Sequence, residues 1–273
     1  IEVCNGSETG LVCQLGMCVS MCEVNAKVQS YIGCEYWGAD LDNAFVPGGE
    51  QGFLDASGSQ YAIVVSNTSD KFSAQVHIFT KDGELTTDSF GIPIPTDSIP
   101  PMSLRIFNIS RAPSNTTPLA VDYSINGTTI TPLAFRVVSS IPITAYQFNP
   151  LDNVGVFSND ATLLLPTNAL GKRYVVMTRE QTFEELRGFM TVIAAMPGET
   201  QVTVTVTAPT LGNNKVAAMS AGDGAGFILN QYDVLNIETA VPGADLTGSV
   251  IYSDKPVAVF GGSEAANAPN TNH

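Results

Sequence analysis

The chain alternates between short hydrophobic runs and clusters of turn-forming residues. From Val28 onward, runs rich in Val, Ile, Thr, Phe and Tyr are separated by groups of Gly, Pro, Asn, Asp and Ser, a pattern typical of β-strands joined by turns. Residues 201–207 alternate strictly between valine and polar residues, which matches the side-chain period of two in a strand. Residues 181–187 carry helix-forming residues but are too few for a core helix, so we predict one helical turn in a loop. The predicted strands cover residues 60–66, 73–80, 103–109, 119–125, 135–139, 143–148, 161–165, 174–178, 190–195, 201–207, 226–229, 234–238, 247–252 and 257–260.

An internal repeat organises these strands. Residues 135–148 align with residues 249–262, with Pro142 on Pro256, and residues 61–70 align with residues 191–200. Both halves are therefore predicted to contain strand, turn, alternating strand, loop, strand, and then a hairpin whose turn carries Ser-x-x-Pro. This favours an all-β fold of two tandem, duplicated β-sandwich-like modules packed together.

The alternatives to a pair of duplicated sandwiches are chance recurrence of the turn motif and a β-propeller. Ser-x-x-Pro is good turn chemistry and can recur by chance between β-strands. A β-propeller also repeats β-units, but its blades of about 40 to 50 residues fit poorly with a repeat of more than one hundred.

The cysteines define a separate amino-terminal segment. All five, Cys4, Cys13, Cys18, Cys22 and Cys34, lie in the first 34 residues and are interleaved with turn formers. This clustering predicts a small disulfide-stapled leader of an exported protein, with a pairing that the spacing leaves open. A zinc site is the competing interpretation, but it usually needs C-x2-C pairs or histidines, which the segment lacks.

The odd number of cysteines leaves one without a partner inside the segment. We expect this to be Cys34, which stands apart at the start of the first module. We expect its partner beyond His273, because the loop-like residues 265–273 indicate that the chain stops inside a longer protein. The predicted organisation is residues 1–27 as the disulfide-stapled leader, residues 28–152 as the first β-module and residues 153–273 as the second, with a truncated carboxyl boundary.

Composition and charge narrow the function. The chain has 12 basic and 26 acidic residues and a net charge of −14, and its longest run of basic residues is the pair Lys172–Arg173. Such a surface repels phosphate backbones, so nucleic-acid binding is excluded. A mean hydropathy of +0.14 fits a folded chain, while no run approaches the roughly 20 apolar residues needed for a transmembrane segment.

Four blocks in this order resemble one known family: residues 33–43 (GCEYWGADLDN), 143–150 (ITAYQFNP), 158–166 (SNDATLLLP) and 255–262 (KPVAVFGG). They are similar to the IgG Fc-binding protein N-terminal domain, in the form found in secreted bacterial proteins of myxobacterial type. The resemblance extends over nearly all of the chain from Gly33 to His273. It implies an extracellular domain of a large adhesive or matrix protein, following a cysteine-rich leader and without assigned catalytic residues.

One acidic loop is a candidate metal site. Glu35, Asp40, Asp42 and Asn43 bring hard oxygen ligands together within nine residues, as a calcium loop does. The spacing is not that of an EF-hand, and acidic residues after a strand also act as solvated turn residues. Calcium is the one cofactor that the sequence suggests.

Catalytic motifs are weak. Residues 261–265 approach G-x-S-x-G, but Ala265 replaces the second glycine and no helix pattern follows. The only histidines are His77, in an alternating strand, and His273. We therefore predict a secreted or cell-surface binding or adhesion module that performs no chemistry, with a protein or glycan of a cell surface or matrix as partner. The alternative is a self-assembling structural subunit of an extracellular filament or matrix.

Overall fold

In the computed structural model, two curled β-sheets form the body of the protein. The described residues are Cys4 and residues 10–45, 56–110, 121–152, 156 and 158–266. Their strands are β1 (Leu11–Gln14), β2 (Met17–Ser20), β3 (Gly33–Gly38), β4 (Tyr61–Ser66), β5 (Val76–Thr80), β6 (Gly83–Glu84), β7 (Leu104–Ser110), β8 (Thr129–Thr131), β9 (Phe135–Phe148), β10 (Ala161–Leu163), β11 (Gly171–Val175), β12 (Gly188–Ala194), β13 (Glu199–Thr205), β14 (Gly224–Asn230), β15 (Val234–Glu238) and β16 (Val250–Ser263). The predicted all-β fold is confirmed.

The two sheets share one plan. The first has the order β6-β5-β9-β4-β7, with β3 and β10 also paired to β9, and the second has the order β14-β13-β16-β12-β15-β8, with β11 paired to β16. Strands β3, β4, β5, β6, β7 and β9 of the first sheet thus correspond to β11 to β16 of the second, in the same chain order and with the same neighbours. Val64 pairs with Tyr146 in the first sheet, as Thr191 pairs with Phe260 in the second, so Val64 is the structural equivalent of Thr191. The sequence alignment instead places Tyr61 on Thr191, which is an error of three residues in the register of the shorter strands.

The predicted Ser-x-x-Pro hairpins are wrong. Residues 135–148 and 250–263 each form one continuous strand of 14 residues. The first half of β9 pairs with β5 up to Ser139, and its second half pairs with β4 from Thr144. Pro142 falls where one partner strand has ended and the next has not begun, so its missing N–H breaks no ladder hydrogen bond there. Pro256 has the same position in β16, between the ladders with β13 and β12.

Each sheet includes a strand from the other side of the module boundary that was predicted between residues 152 and 153. Strand β8 pairs with β15 of the second sheet, and β10 pairs with β9 of the first. The two sheets also share a hydrophobic cluster, in which Trp37 and Ala39 pack with Ile193 and Val234. The Trp37 ring meets Tyr232 edge-on, with ring centroids 4.9 Å apart.

The amino-terminal segment is a hairpin followed by one short helix. Strands β1 and β2 lead into α1 (Met21–Asn25), whose first turn is capped by the Ser20 hydroxyl accepting from the Cys22 N–H. This helix was not predicted, and the helical turn predicted at residues 181–187 is wrong, because those residues form an irregular loop. None of the described residues belongs to a helix that is long and apolar enough to cross a membrane.

Two disulfides close this segment. Cys4 pairs with Cys18, and Cys22 pairs with Cys34. The expectation that Cys34 is the odd cysteine is wrong: Cys13 is free and exposed. Helix α1 packs against β9 and β3 of the first sheet, which brings Cys22 next to Cys34 on β3.

Candidate functional site

A cavity of about 910 Å³ lies beside the carboxyl ends of the two long strands, β9 and β16. It is lined from the first sheet and its loops by Leu41, Asp42, Asn43, Ala44, Ala56, Gln147, Asn149, Pro150, Val156, Ser158, Asp160 and Thr162. From the second sheet and its loops it is lined by Phe183, Glu184, Glu185, Leu186, Phe189, Gly261, Gly262, Ser263, Glu264, Ala265 and Ala266. Its volume is that of a site for a small molecule or a few side chains.

Two glycines at the end of β16 form part of the wall. A Cβ atom at Gly262 would clash with the Phe189 ring, and one at Gly261 would clash with the Met177 carbonyl. Only glycine lets β16 approach these neighbours so closely. The glycines therefore keep Phe189 in place beside the cavity.

Two carboxyl groups of the lining, those of Asp42 and Glu264, form a cluster with the carboxyl group of Glu238, which is buried and does not line the cavity. Ligand oxygens of Asp42, Glu238 and Glu264 all lie within 4.8 Å of one another. Asp42 follows β3 in the first sheet, Glu238 ends β15, and Glu264 follows β16. Asp42 and Glu238 are buried, and Glu264 is half-buried. The contact between the sheets thus concentrates acidic groups that are remote in sequence.

Uncharged donors hold the three groups in place. Asp42 accepts hydrogen bonds from the Gly127 N–H at 2.9 Å and from the Asn236 side-chain amide at 3.0 Å. Glu238 accepts from the Thr128 N–H at 2.9 Å. Glu264 accepts from the Arg187 backbone N–H at 2.9 Å. The Arg187 guanidinium turns elsewhere, to the carbonyls of residues 239 and 240.

Burial and mutual repulsion change the acidity of this cluster. Desolvation, and then the negative charges of Glu238 and Glu264, raise the pKa of Asp42 well above its usual range. Desolvation also raises the pKa of Glu264 to about 7, with the charge of Glu238 adding to it. Carboxyl groups this close cannot all ionise at low cost, so near neutral pH the cluster holds protons or attracts a cation.

Gln147 brings an unused donor to the same cavity. Its side chain is only 1% exposed, and its carbonyl oxygen accepts from the Ala39 N–H and the Tyr61 hydroxyl, both at 3.2 Å. These bonds fix the orientation of the amide, and its nitrogen, Nε2, has no hydrogen-bond partner among the described residues. A buried donor without an acceptor costs about 1–3 kcal/mol, so a ligand that supplies an acceptor would be favoured.

The four residues of the predicted calcium loop go to different surroundings. Glu35 forms an ion pair with Arg136 at 2.5 Å, and Asn43 hydrogen-bonds the Asn149 carbonyl. Asp40 is buried, and desolvation raises its pKa well above the usual range although Ser110 lies beside it. Only Asp42 joins the carboxyl cluster. Among the described residues, the set that could hold a metal ion is Asp42 with Glu238 and Glu264.

The approximate G-x-S-x-G motif lies at the rim of the cavity. The Ser263 hydroxyl donates to the carbonyls of Arg187 and Ala265. His77 pairs with Glu84 on the β5–β6 hairpin of the first sheet. His273 lies outside the described residues.

Comparison with known proteins gives one match. Residues 160–273 match the model of the family described as IgGFc binding protein. No curated protein and no solved structure was found to match the chain. The matched residues comprise β10 to β16 and include Glu238 and Glu264, whereas Asp42 and Gln147 lie before them. For residues 33–159 the family resemblance stays a prediction.

Proposed function

We propose that this chain, whose residues 160–273 match the model of the IgGFc binding protein family, is an extracellular, non-catalytic module that binds a protein of a cell surface or matrix. The observation that carries the proposal is the acidic and apolar cavity between the sheets, in a chain that matches a family described as a binding protein. Concave sites with a few fixed polar groups are the usual place for a ligand.

The cysteine chemistry supports an extracellular location. Two disulfides lie within the first 34 residues, and such bonds persist in oxidising compartments. The polar contacts support binding rather than catalysis. The Ser263 hydroxyl at the cavity donates to backbone carbonyls, and His77, which does not line the cavity, pairs with Glu84. A serine nucleophile requires a base within hydrogen-bond reach.

A second candidate function is self-assembly, and one observation favours it. Among the described strands, β7 ends the hydrogen-bonded order of the first sheet, and it exposes Leu104 and Ile106. Its counterpart in the second sheet, β15, is buried and paired to β8. An exposed edge strand is a template for pairing with another chain, as a filament or matrix subunit requires.

Binding of the labelled, purified chain to cells and matrix of the producing organism separates the two functions. We compare Thr162→Trp, which places a large ring at the cavity from the exposed strand β10, with Thr203→Trp on the exposed face of β13. Saturable binding that Thr162→Trp weakens about tenfold or more, and Thr203→Trp leaves unchanged, supports the cavity as the binding site.

Light scattering of the free chain provides the other half of the test. A monomer with saturable binding supports the proposed module. Absence of binding together with growth into regular polymers, suppressed by Leu104→Lys on β7, would replace it with the structural subunit. Equal binding by Thr162→Trp and Thr203→Trp would show that the cavity is not the binding site.

A further inference from the structure

We propose that the cavity receives a basic side chain of the partner protein, with its cationic group placed at Asp42, Glu238 and Glu264. This inference rests on the proposed function, because it names the chemistry that the partner presents to the same cavity. Its support is the charge of the lining, the surroundings of the carboxyl cluster, the free donor of Gln147 and the apolar walls.

The lining is acidic on both sides. Among the described lining residues, five carry a carboxyl group and none is Lys, Arg or His. The five are Asp42, Asp160, Glu184, Glu185 and Glu264. A concave, low-dielectric wall of one sign focuses the electrostatic potential and attracts a group of the opposite sign.

Among the described residues, the buried cluster has no cationic hydrogen-bond partner. In that part of the chain, Asp42 and Glu238 accept only from backbone N–H groups, a threonine hydroxyl and the Asn236 amide. Such donors hold the carboxylates in place without neutralising them. A guanidinium or ammonium group entering from the cavity would neutralise the cluster and form charge-assisted hydrogen bonds, which are about twice as strong as neutral ones.

Gln147 points to a ligand with an acceptor as well as a cation. Its buried Nε2 group has no acceptor in the part of the chain that the structure describes, and its side-chain carbonyl already accepts two hydrogen bonds. A peptide that carries a basic side chain has backbone carbonyls close to that side chain. The same segment can therefore satisfy both the carboxyl cluster and the Gln147 donor, whereas a bare metal ion accepts no hydrogen bond.

The apolar part of the lining fits the stem of such a side chain. Leu41, Val156, Leu186 and Phe189 line the cavity beside the acidic groups. Lysine and arginine bury their methylene stems against apolar surface while the charged end reaches polar groups. A small, strongly hydrated cation would leave these apolar residues without a partner.

The test uses two short peptides that differ only in charge. Calorimetry compares acetyl-Ala-Arg-Leu-amide with its citrulline analogue, in which a neutral urea replaces the guanidinium, on the intact chain. We expect the arginine peptide to bind and the citrulline peptide to bind about tenfold more weakly or worse. Glu264→Gln should weaken the arginine peptide by a similar factor, while Glu199→Gln, the same change on the exposed start of β13, should not.

Calcium chloride alone is the third titrant. Calcium binding that Glu264→Gln abolishes, with no binding of the arginine peptide, would overturn the inference and make the cluster a metal site. Equal binding of the two peptides, or no effect of Glu264→Gln, would also overturn it. If the peptide test fails but Thr162→Trp still abolishes binding to cells, only the inference of a basic side chain is wrong and the proposed binding function stands. If the chain binds no cell or matrix, the proposed function itself is wrong.

Discussion

The carboxyl oxygens of Asp42 and Glu264 lie within 4.8 Å of each other across the contact between the two sheets. Burial and the neighbouring negative charges raise the pKa of both carboxyl groups, so it is costly to ionise both in the folded chain. The two groups meet only because the packing of the sheets brings together the residues that follow β3 and β16. The stability of this contact is therefore linked to pH.

Glu264→Gln is expected to stabilise the chain at alkaline pH. The pKa of Glu264 is raised to about 7 and that of Asp42 is raised as well, so between about pH 4.5 and 7 the folded chain binds more protons than the unfolded chain. The free energy of unfolding therefore falls as pH rises through this window. Removing the charge should raise it by about 1–3 kcal/mol at pH 8, a range discounted for the partial exposure of Glu264, and by less than about 1 kcal/mol at pH 5.

Urea unfolding at the two pH values measures this difference, with Glu199→Gln as the exposed control. Glutamine retains an oxygen that can accept from the Arg187 N–H, so the substitution removes charge and keeps the hydrogen bond. The charged groups that face Glu264 are Asp42 and Glu238. Destabilisation of equal size at both pH values would show that the Glu264 charge is not the cause of the pH dependence.

Trp37→Ala is expected to weaken the packing between the sheets. Trp37 is buried among residues of both sheets and contacts Tyr232. Truncating a buried tryptophan typically costs about 3–5 kcal/mol. Urea unfolding followed by circular dichroism measures the loss, since the variant lacks the single tryptophan of the chain. Leu104→Ala, on the exposed side of β7, should change stability by less than about 0.5 kcal/mol, and an equal effect of both variants would contradict the assignment.

Sequence periodicity and repetition were enough to predict the all-β fold, whereas the internal duplication stays a prediction, which the shared strand order of the two sheets supports. They could not separate a hairpin from a long bent strand, because Pro142 is compatible with a turn and with a strand position that lacks a ladder partner. The spacing of the cysteines also could not predict their pairing, because Cys34 meets Cys22 only through the packing of α1 beside β3.

Of the carboxyl cluster, the sequence predicted Asp42 alone, and of the other predicted site residues Asn43 lines the cavity. Glu238 and Glu264 lie in the other half of the chain, and their approach to Asp42 depends on how the two sheets pack. Glu264 follows Gly261, Gly262 and Ser263 directly, in the segment that resembles a G-x-S-x-G catalytic motif. A better signal is the glycine pair itself, since adjacent glycines at the end of a strand indicate a close approach of neighbouring groups.

Cys13 is expected to be the one reactive thiol of the native chain. It is exposed and free, whereas Cys22 and Cys34 are joined. Alkylation without reductant, followed by peptide mapping, should label Cys13 alone. Replacing both Cys22 and Cys34 by serine opens a loop of about 13 residues and should lower the free energy of unfolding by about 3 kcal/mol. Labelling of Cys34 in the native chain would contradict this pairing.

Gly262→Ala is expected to destabilise the chain and to obstruct the cavity, whereas Gly226→Ala should do neither. A Cβ at Gly262 meets the buried Phe189 ring, but one at Gly226, in the middle of β14, meets nothing within 4 Å. Overpacking of this kind typically costs about 1–3 kcal/mol, and displacement of the ring would narrow the cavity. Gly226→Ala restricts the unfolded chain without a clash and should be neutral or stabilising by up to about 1 kcal/mol. Thermal unfolding measures the stability difference, and titration with the arginine peptide measures access to the cavity. Unchanged stability and peptide binding in Gly262→Ala would mean that Phe189 can move away freely and does not form a fixed wall.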